Sequence, residues 1–208
     1  MYPPRPKSRI RPSELPYYEQ KGVWVVQRKF NGTRTLIHVT PSMTVEAWRP
    51  GNLPHEQWSL SSEVAKQILS LKLIGGKEYW FDGELLNNKT SSPDYKNKII
   101  FFDILQAGRY LFGNPNLKGR QDLLYEICGA PTNREPGQGI ALEVTPNIWL
   151  AETFTSDFVA RYRDFISLDE IEGLVLKDPQ SKLDNFGGKE YEVSWQIRCR
   201  KEHKNYSF

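Results

Sequence analysis

Cysteine is nearly absent. The 208-residue chain carries two, Cys128 and Cys199, far apart in sequence. Two cysteines cannot build a disulfide framework or a four-ligand zinc site, so both are read as reduced, intracellular thiols. Long apolar runs are missing too. No stretch approaches the ~20 apolar residues of a membrane span. No apolar run follows the opening Met1-Tyr2-Pro3-Pro4-Arg5-Pro6, so no secretory signal is expected. Nor is there a large excess of charge of one sign: 28 Lys and Arg against 25 Asp and Glu leave +3. That balance permits a polyanionic partner without demanding one. What remains is an ordinary globular composition, 38% hydrophobic and 25% charged, which argues against wholesale disorder. A chain of this size can bury roughly 70% of its unfolded surface. A cytoplasmic, monomeric protein is expected.

The pattern along the chain points to a mixed α+β fold of mostly antiparallel strands. Residues 1–20 are rich in proline and basic residues and are expected to form an extended arm lying on the domain, not a packed element. Three β-like runs follow, Gly22–Arg28, Thr33–Thr40 and Met43–Trp48, the first two joined by an Asn31-Gly32 step that is a strong hairpin signal. Ser62–Leu73 carries a helical apolar stripe with Ser61 or Ser62 as its cap. Glu78–Leu86 reads as a strand and leads into a polar loop from Asn87 to Lys98. Ile99–Leu105 is short and wholly apolar, hence a buried strand. Lys118–Cys128 is helical and stops at Gly129, before a Pro/Gly/Asn loop over 130–139. Thr145–Ala151 is a strand, and Thr155–Ile166 a helix capped by Thr155 or Ser156. Ile171–Lys177 and Glu192–Lys201 are the last two strands, with a polar, Gly-containing loop between them. No repeat or linker divides residues 21–208, so one domain is the economical reading.

Chemistry concentrates in a few short segments. Lys29 ends a strand just before a tight turn, which by itself describes a solvated surface lysine. Downstream, Asp82-Gly83-Glu84 sets two acids inside an apolar strand. Phe102-Asp103 does something similar, Glu172 and Lys177 bracket another strand, and Trp195–Lys201 alternates apolar and basic residues. Each acid or base would be costly to bury alone. Together they describe a pocket with a lysine, carboxylates for a metal, cations for phosphates and an aromatic ring for a base.

In this order the segments resemble the covalent nucleotidyltransferase superfamily of ATP-dependent DNA ligases, RNA ligases and messenger RNA capping enzymes. Lys29-x-Asn31-Gly32-x-Arg34 looks like the nucleophile motif. Asp82-Gly83-Glu84-Leu85, Phe102-Asp103-Ile104-Leu105 and Glu172-Gly173-Leu174-Val175-Leu176-Lys177 look like the next three, and the likeness runs over residues 22–201. It implies a ligase-type, ATP-grasp-like α+β domain of mainly antiparallel sheets flanked by helices, using ATP and Mg²⁺ or Mn²⁺ on nucleic-acid ends. Lys29 would attack the α-phosphate and carry AMP. A lysine of ordinary pKa, about 10.4, loses about 4–5 kcal/mol of reactivity to protonation at neutral pH, so such a nucleophile needs a bound metal and nearby cations. Glu84, Glu172 and Asn31 would hold the metal or its waters. Gln27 would read the adenine edge, Phe102 stack on the base, and Arg34 hold the ribose or the nick phosphate. Lys177, Arg198, Arg200 and Lys201 would face the phosphates. Arg49, in Ala47-Trp48-Arg49-Pro50-Gly51-Asn52, is the candidate for the 5′-phosphate at a nick. The helix start at Leu117–Leu124, with Arg120, reads as structural.

The departures from the family pattern matter. Asn31 stands where aspartate is usual. Arg198 and Arg200 occupy the alternation where two lysines are usual, with the register uncertain by one because Lys201 adjoins them. These enzymes usually carry an OB-fold domain after the last motif, and here Glu202–Phe208 follow it. The chain is read either as a single-domain enzyme or as a piece of a longer one. Without an OB domain the first step is expected to be slow or to need a partner. Arg34 and the Glu172–Lys177 strand favour a DNA ligase, of the compact kind common in phages. RNA ligase is the alternative, and a capping-type guanylyltransferase or a non-catalytic end-binding module is further off.

Overall fold

The computed structural model describes residues 1–87, 90–129, 139–184 and 191–201. Most of the loop expected over 130–139, part of the loop after residue 87, the Gly-containing stretch 185–190 and the tail Glu202–Phe208 lie outside the described residues.

Two sheets face each other. The first contains β1 (Arg5–Ile10), β2 (Val25–Phe30), β10 (Thr153–Phe154), β11 (Ile171–Lys177) and β12 (Glu192–Arg200) in the order β1-β12-β11-β2-β10. The second runs β4-β3-β5-β6-β9-β8, built from β3 (Thr33–Val39), β4 (Val45–Trp48), β5 (Tyr79–Leu86), β6 (Lys98–Ala107), β8 (Leu142–Glu143) and β9 (Ile148–Leu150), with β7 (Arg109–Tyr110) pairing to β6. Among the described strands, β1 with β12 and β6 with β9 pair in parallel and the others antiparallel. The helices are α1 (Leu15–Gln20), α2 (Ser62–Leu69), α3 (Leu117–Cys128) and α4 (Phe158–Arg163).

Period-two alternation gives the first sheet one apolar face and one polar face. Val26, Leu174, Leu176, Ile197 and Cys199 pack with Leu15 of α1 and Phe158 of α4. The second sheet buries Leu36, Phe81, Phe101 and Ile104 with Val64 and Ile68 of α2 and Leu124 and Ile127 of α3. A single asparagine side chain caps α3, Asn116 Oδ1 accepting from the Gly119 N–H at 3.0 Å, and Gly129 closes it in the left-handed conformation.

Three expectations fail for physical reasons. Residues 1–20 do not form an unpacked arm: β1 joins the sheet edge, and Ile10 and Leu15 are buried in the core beneath it. Composition dominated by proline and arginine hid two well-spaced apolar anchors. Asn31-Gly32 does not close a hairpin, because β2 and β3 belong to different sheets. Gly32 is instead pressed against the facing strand, where a Cβ would lie 2.3 Å from the Leu85 carbonyl oxygen. The helix expected from Thr155 starts at Phe158, and Glu19 of α1 accepts from the backbone N–H groups of Asp157 and Phe158. A carboxylate distant in sequence supplies the cap that Thr155 or Ser156 was expected to give.

Candidate active site

The polar faces of the two sheets enclose a cavity of about 320 Å³. Gln27 and Lys29 project into it from β2, Glu172 and Lys177 from β11, and Gln196, Arg198 and Arg200 from β12. Arg34 and Glu84 close the opposite wall with Phe102, and Arg5 and Pro6 of β1 stand at the rim. Alternation explains most of this placement, since Gln27 and Lys29 share a face of β2 while Val26 faces the core.

Glu172 is the exception. Strict alternation along β11 would put it beside Leu174 and Leu176, in the core. The pairing of β11 with β2 slips between Ile171 and Gly173, with Ile171 opposite Phe30 and Gly173 opposite Lys29. Such a bulge re-aims one side chain, and Glu172 is the residue it turns into the cavity. Gly173 makes the bulge possible with φ +136°. There Glu172 ion-pairs with Lys29 through one oxygen and with Arg200 Nε at 3.0 Å through the other.

The opposite wall is organised by buried charge. Arg34 donates Nε–H to Asp82 at 2.9 Å, meets the second Asp82 oxygen through Nη2, and bonds the Pro4 carbonyl at 2.7 Å. Burial lowers the Arg34 pKa and Asp82 raises it, with a net rise. Asp82 itself is raised, first by burial, against the pull of Arg34. Lys177 is 3% exposed, 4.9 Å from the centre of the Phe102 ring, and burial brings its pKa down to about 8 despite the nearby Asp103 and Asp82. Glu84 accepts the Gly32 N–H at 3.1 Å, and burial lifts its pKa to about 7, opposed by Lys29 and Arg34. Gln27 gives its Nε2 to Thr153 Oγ1 at 3.0 Å, which leaves Oε1 buried without a hydrogen-bond partner.

The raised Glu84 pKa has a thermodynamic consequence. The folded pKa, about 7, lies above the ordinary 4.5, so the folded chain binds more protons than the unfolded one in that window. Stability then falls as pH rises through it. Glu84→Gln removes the ionisation and keeps an acceptor for Gly32. Without nucleotide, the variant and the wild type should melt together below the unfolded pKa of 4.5, and the variant should melt higher once pH has risen through about 7. Equal melting temperatures in both ranges would contradict the burial of an ionisable Glu84.

Three expected site residues are elsewhere. Asn31 does not line the cavity; its amide donates to the Asp169 carbonyl at 2.9 Å, and its backbone N–H bonds Glu170. The turn that delivers Gly32 to β5 carries this side chain aside. Lys201 is turned away and bonds the Leu168 carbonyl at 3.1 Å, whereas Arg198 and Arg200 line the cavity. Arg49 lines a separate depression of about 190 Å³ with His55 and Trp58, tied to the Pro54 carbonyl at 3.0 Å and to Glu56 at 2.6 Å. Gln196 was missed, although its two-residue spacing from Arg198 could have found it. Arg5 was missed because nothing local marks a strand there. Among the described residues, no helix is long and apolar enough to cross a membrane, and no group of three or more His, Cys, Asp and Glu is placed to hold a metal.

No family model matches the chain, and no curated protein matches it. Solved structures do. A structure described as Pmar-Lig_PreS3 is 13% identical with a TM-score of 0.63, over 95% of this chain and 46% of that one. The ligase domain of LigD from M. tuberculosis is 15% identical, TM-score 0.52, over 84% of this chain and 52% of that one. The ATP-dependent DNA ligase of bacteriophage T7, in complex with ATP, is 12% identical, TM-score 0.56, over 95% and 68%. The chain spans about half the length of the first two. The class defined is an α+β nucleotidyltransferase fold. More narrowly, it is the fold of the ligase nucleotidyltransferase domain.

Proposed function

We propose that this domain is the adenylylating part of an ATP-dependent polynucleotide ligase. The Lys29 nitrogen attacks the α-phosphorus of ATP, a P–N bond forms, the bond to the β-phosphate oxygen breaks, pyrophosphate leaves, and the amine loses its proton. AMP then passes to a 5′-phosphate end, and a 3′-hydroxyl attacks that end and releases AMP. The observation that carries this reading is the bulge at Gly173, which turns Glu172 out of the core to meet Lys29 inside a cavity that also holds Glu84, Phe102 and the cations Arg34, Lys177, Arg198 and Arg200. A structural salt bridge would not need a cavity around it, and a reacting lysine does.

The remaining residues take consistent parts. Phe102 offers its ring to the adenine. The unpartnered Gln27 Oε1 suits the exocyclic amine of adenine and opposes the carbonyl of guanine. Arg34 meets the ribose or a nick phosphate, and Lys177, Arg198 and Arg200 meet the phosphates, work that phosphoryl transfer leaves to positioning and charge neutralisation. Glu84 and Glu172 fit a divalent cation: they are hard oxygen donors on one cavity, and Glu84 is a carboxyl that burial has left short of compensating charge. Mg²⁺ or Mn²⁺ bound there would neutralise phosphate charge. Arg49 remains the candidate for a nick 5′-phosphate outside the cavity. Arg34 and the Glu172–Lys177 strand favour DNA as the polymer.

Incubation with ATP and Mg²⁺ should add the mass of one AMP to the intact protein, and GTP should add nothing. Nicked DNA should then be sealed in preference to nicked or single-stranded RNA. A GMP adduct would point to capping chemistry, and sealing of RNA alone to an RNA ligase. No adduct at all would remove the enzymatic reading.

A further inference from the structure

The parallel register of β1 on β12 decides which residues meet at the sheet edge. Arg9 lies beside Arg198, Ile10 beside Cys199 and Arg5 beside Glu192. Ile10 and Cys199 are buried in the core on one face, so alternation sets Arg9 and Arg198 on the other, the face of the cavity. Arg5, Arg198 and Arg200 line the cavity, whereas Arg9 is exposed and stands outside it. The four form a continuous basic edge that begins at the cavity and runs out over the sheet rim.

This edge is crowded with like charge. Arg5 pairs with Glu192 at 2.9 Å and Arg200 with Glu172 at 3.0 Å. Among the described residues neither Arg9 nor Arg198 makes an ion pair. Burial and then Arg200, Arg9 and Arg5 lower the pKa of Arg198. An anion laid along the edge would relieve that repulsion. The spacing says what kind. Residues two apart on a strand are about 6.6–6.8 Å apart, and neighbouring strands about 4.8 Å. Arg9, Arg198 and Arg200 therefore offer guanidinium forks in series, as a chain of repeating phosphates would require. A mononucleotide held in the cavity leaves Arg9 unused, and a polymer does not.

We propose that the β1–β12 arginine edge binds the phosphodiester backbone of the nucleic-acid strand whose end is joined, with Arg9 as its outermost contact. The proposal rests on the ligase reading of the cavity and adds the path by which the polymer leaves it. It also gives the first strand a purpose that packing of Ile10 alone does not supply.

The test is fluorescence anisotropy of a labelled nicked DNA duplex, titrated with wild-type, Arg9→Ala and Arg9→Lys protein across a series of salt concentrations, with the wild-type AMP adduct assayed in parallel. Each phosphate contact contributes a slope of about 0.9 to the fall of log affinity with log salt. Arg9→Ala should weaken binding severalfold at low salt and flatten the slope by about one, and Arg9→Lys should retain the wild-type slope. Three results would overturn the proposal: wild-type affinity and slope in Arg9→Ala, equal losses in Arg9→Ala and Arg9→Lys with the slope unchanged, or no salt-dependent binding by the wild type. Slope loss in Arg9→Ala without any AMP adduct would uphold the binding edge and remove the ligase reading. An adduct without the slope loss would do the reverse.

Discussion

Gly173→Ala should be the most damaging single-methyl change in the protein, lowering the melting temperature by roughly 6–20 °C and abolishing any AMP adduct. Two independent costs combine. At φ +136° a side chain is strained, typically by about 1–3 kcal/mol. The added Cβ would also lie 1.9 Å from the Cys199 carbonyl oxygen and 2.9 Å from the Arg200 Cα. Those are backbone atoms of the neighbouring strand, so β12 must move away from β11. A total of about 3–5 kcal/mol translates, at roughly 2–4 °C per kcal/mol for a chain of this size, into the shift stated. The functional loss follows from the same geometry. Gly173 pairs with Lys29 on one side and Arg200 on the other, so displacing it moves both and undoes the bulge that aims Glu172. Thermal melting and mass spectrometry together check this. A variant that melts like the wild type would contradict the close approach.

Arg120→Met should cost about 3–5 kcal/mol, because it strands a buried carboxylate. Arg120 is fully buried on α3, and its Nε and Nη2 hold the two oxygens of Asp103 at 2.9 and 3.0 Å. Asp103 is 3% exposed on β6, next to Phe102. Removing the arginine takes away both of its hydrogen bonds to Asp103 and leaves the Ile104 N–H and the more distant charges of Lys177 and Arg34 as its compensation in a dry site. Removing both charges, in Arg120→Met with Asp103→Asn, should recover much of the loss, since an ion pair replaced as a pair is far less costly than one broken. Denaturant unfolding of the two single variants and the double variant measures the coupling. Additive losses would mean that the pair is not the source of the stability.

The sequence carried much of the cavity because strands expose their logic at period two. Gln27 and Lys29 share one side of β2, Arg198 and Arg200 share one side of β12, Arg34 of β3 lies opposite Glu84 of β5, and the structure brings all six to one cavity. Glu172 was legible only through its motif, since its neighbours Leu174 and Leu176 argue that it faces the core. The bulge that overrides this is visible in the sequence only as a glycine. Asn31-Gly32 illustrates the opposite error. The dipeptide is a good local signal for a hairpin, yet its glycine is required by a strand in the other sheet, and a local rule has no access to that contact. Residues 1–20 misled for a similar reason. Their composition is that of a solvated arm, and two buried side chains, Ile10 and Leu15, are enough to dock them. The displacement of Lys201 from the cavity is a one-residue matter of register, which alternation constrains only once one residue of the strand is placed.

The cavity holds two lysines that could be adenylylated. Burial gives Lys177 a pKa of about 8 and hence a larger share of free amine, but it sits deep beside Phe102 and 3% exposed. Lys29 is more open, with a 19% exposed side chain paired to Glu172. Peptide mapping of the protein after incubation with ATP and Mg²⁺ tests most directly which lysine is the nucleophile. A single AMP should appear on the peptide containing Lys29, be absent from Lys29→Ala and still form in Lys177→Arg. AMP mapped to Lys177, or retained in Lys29→Ala, would contradict Lys29 as the nucleophile.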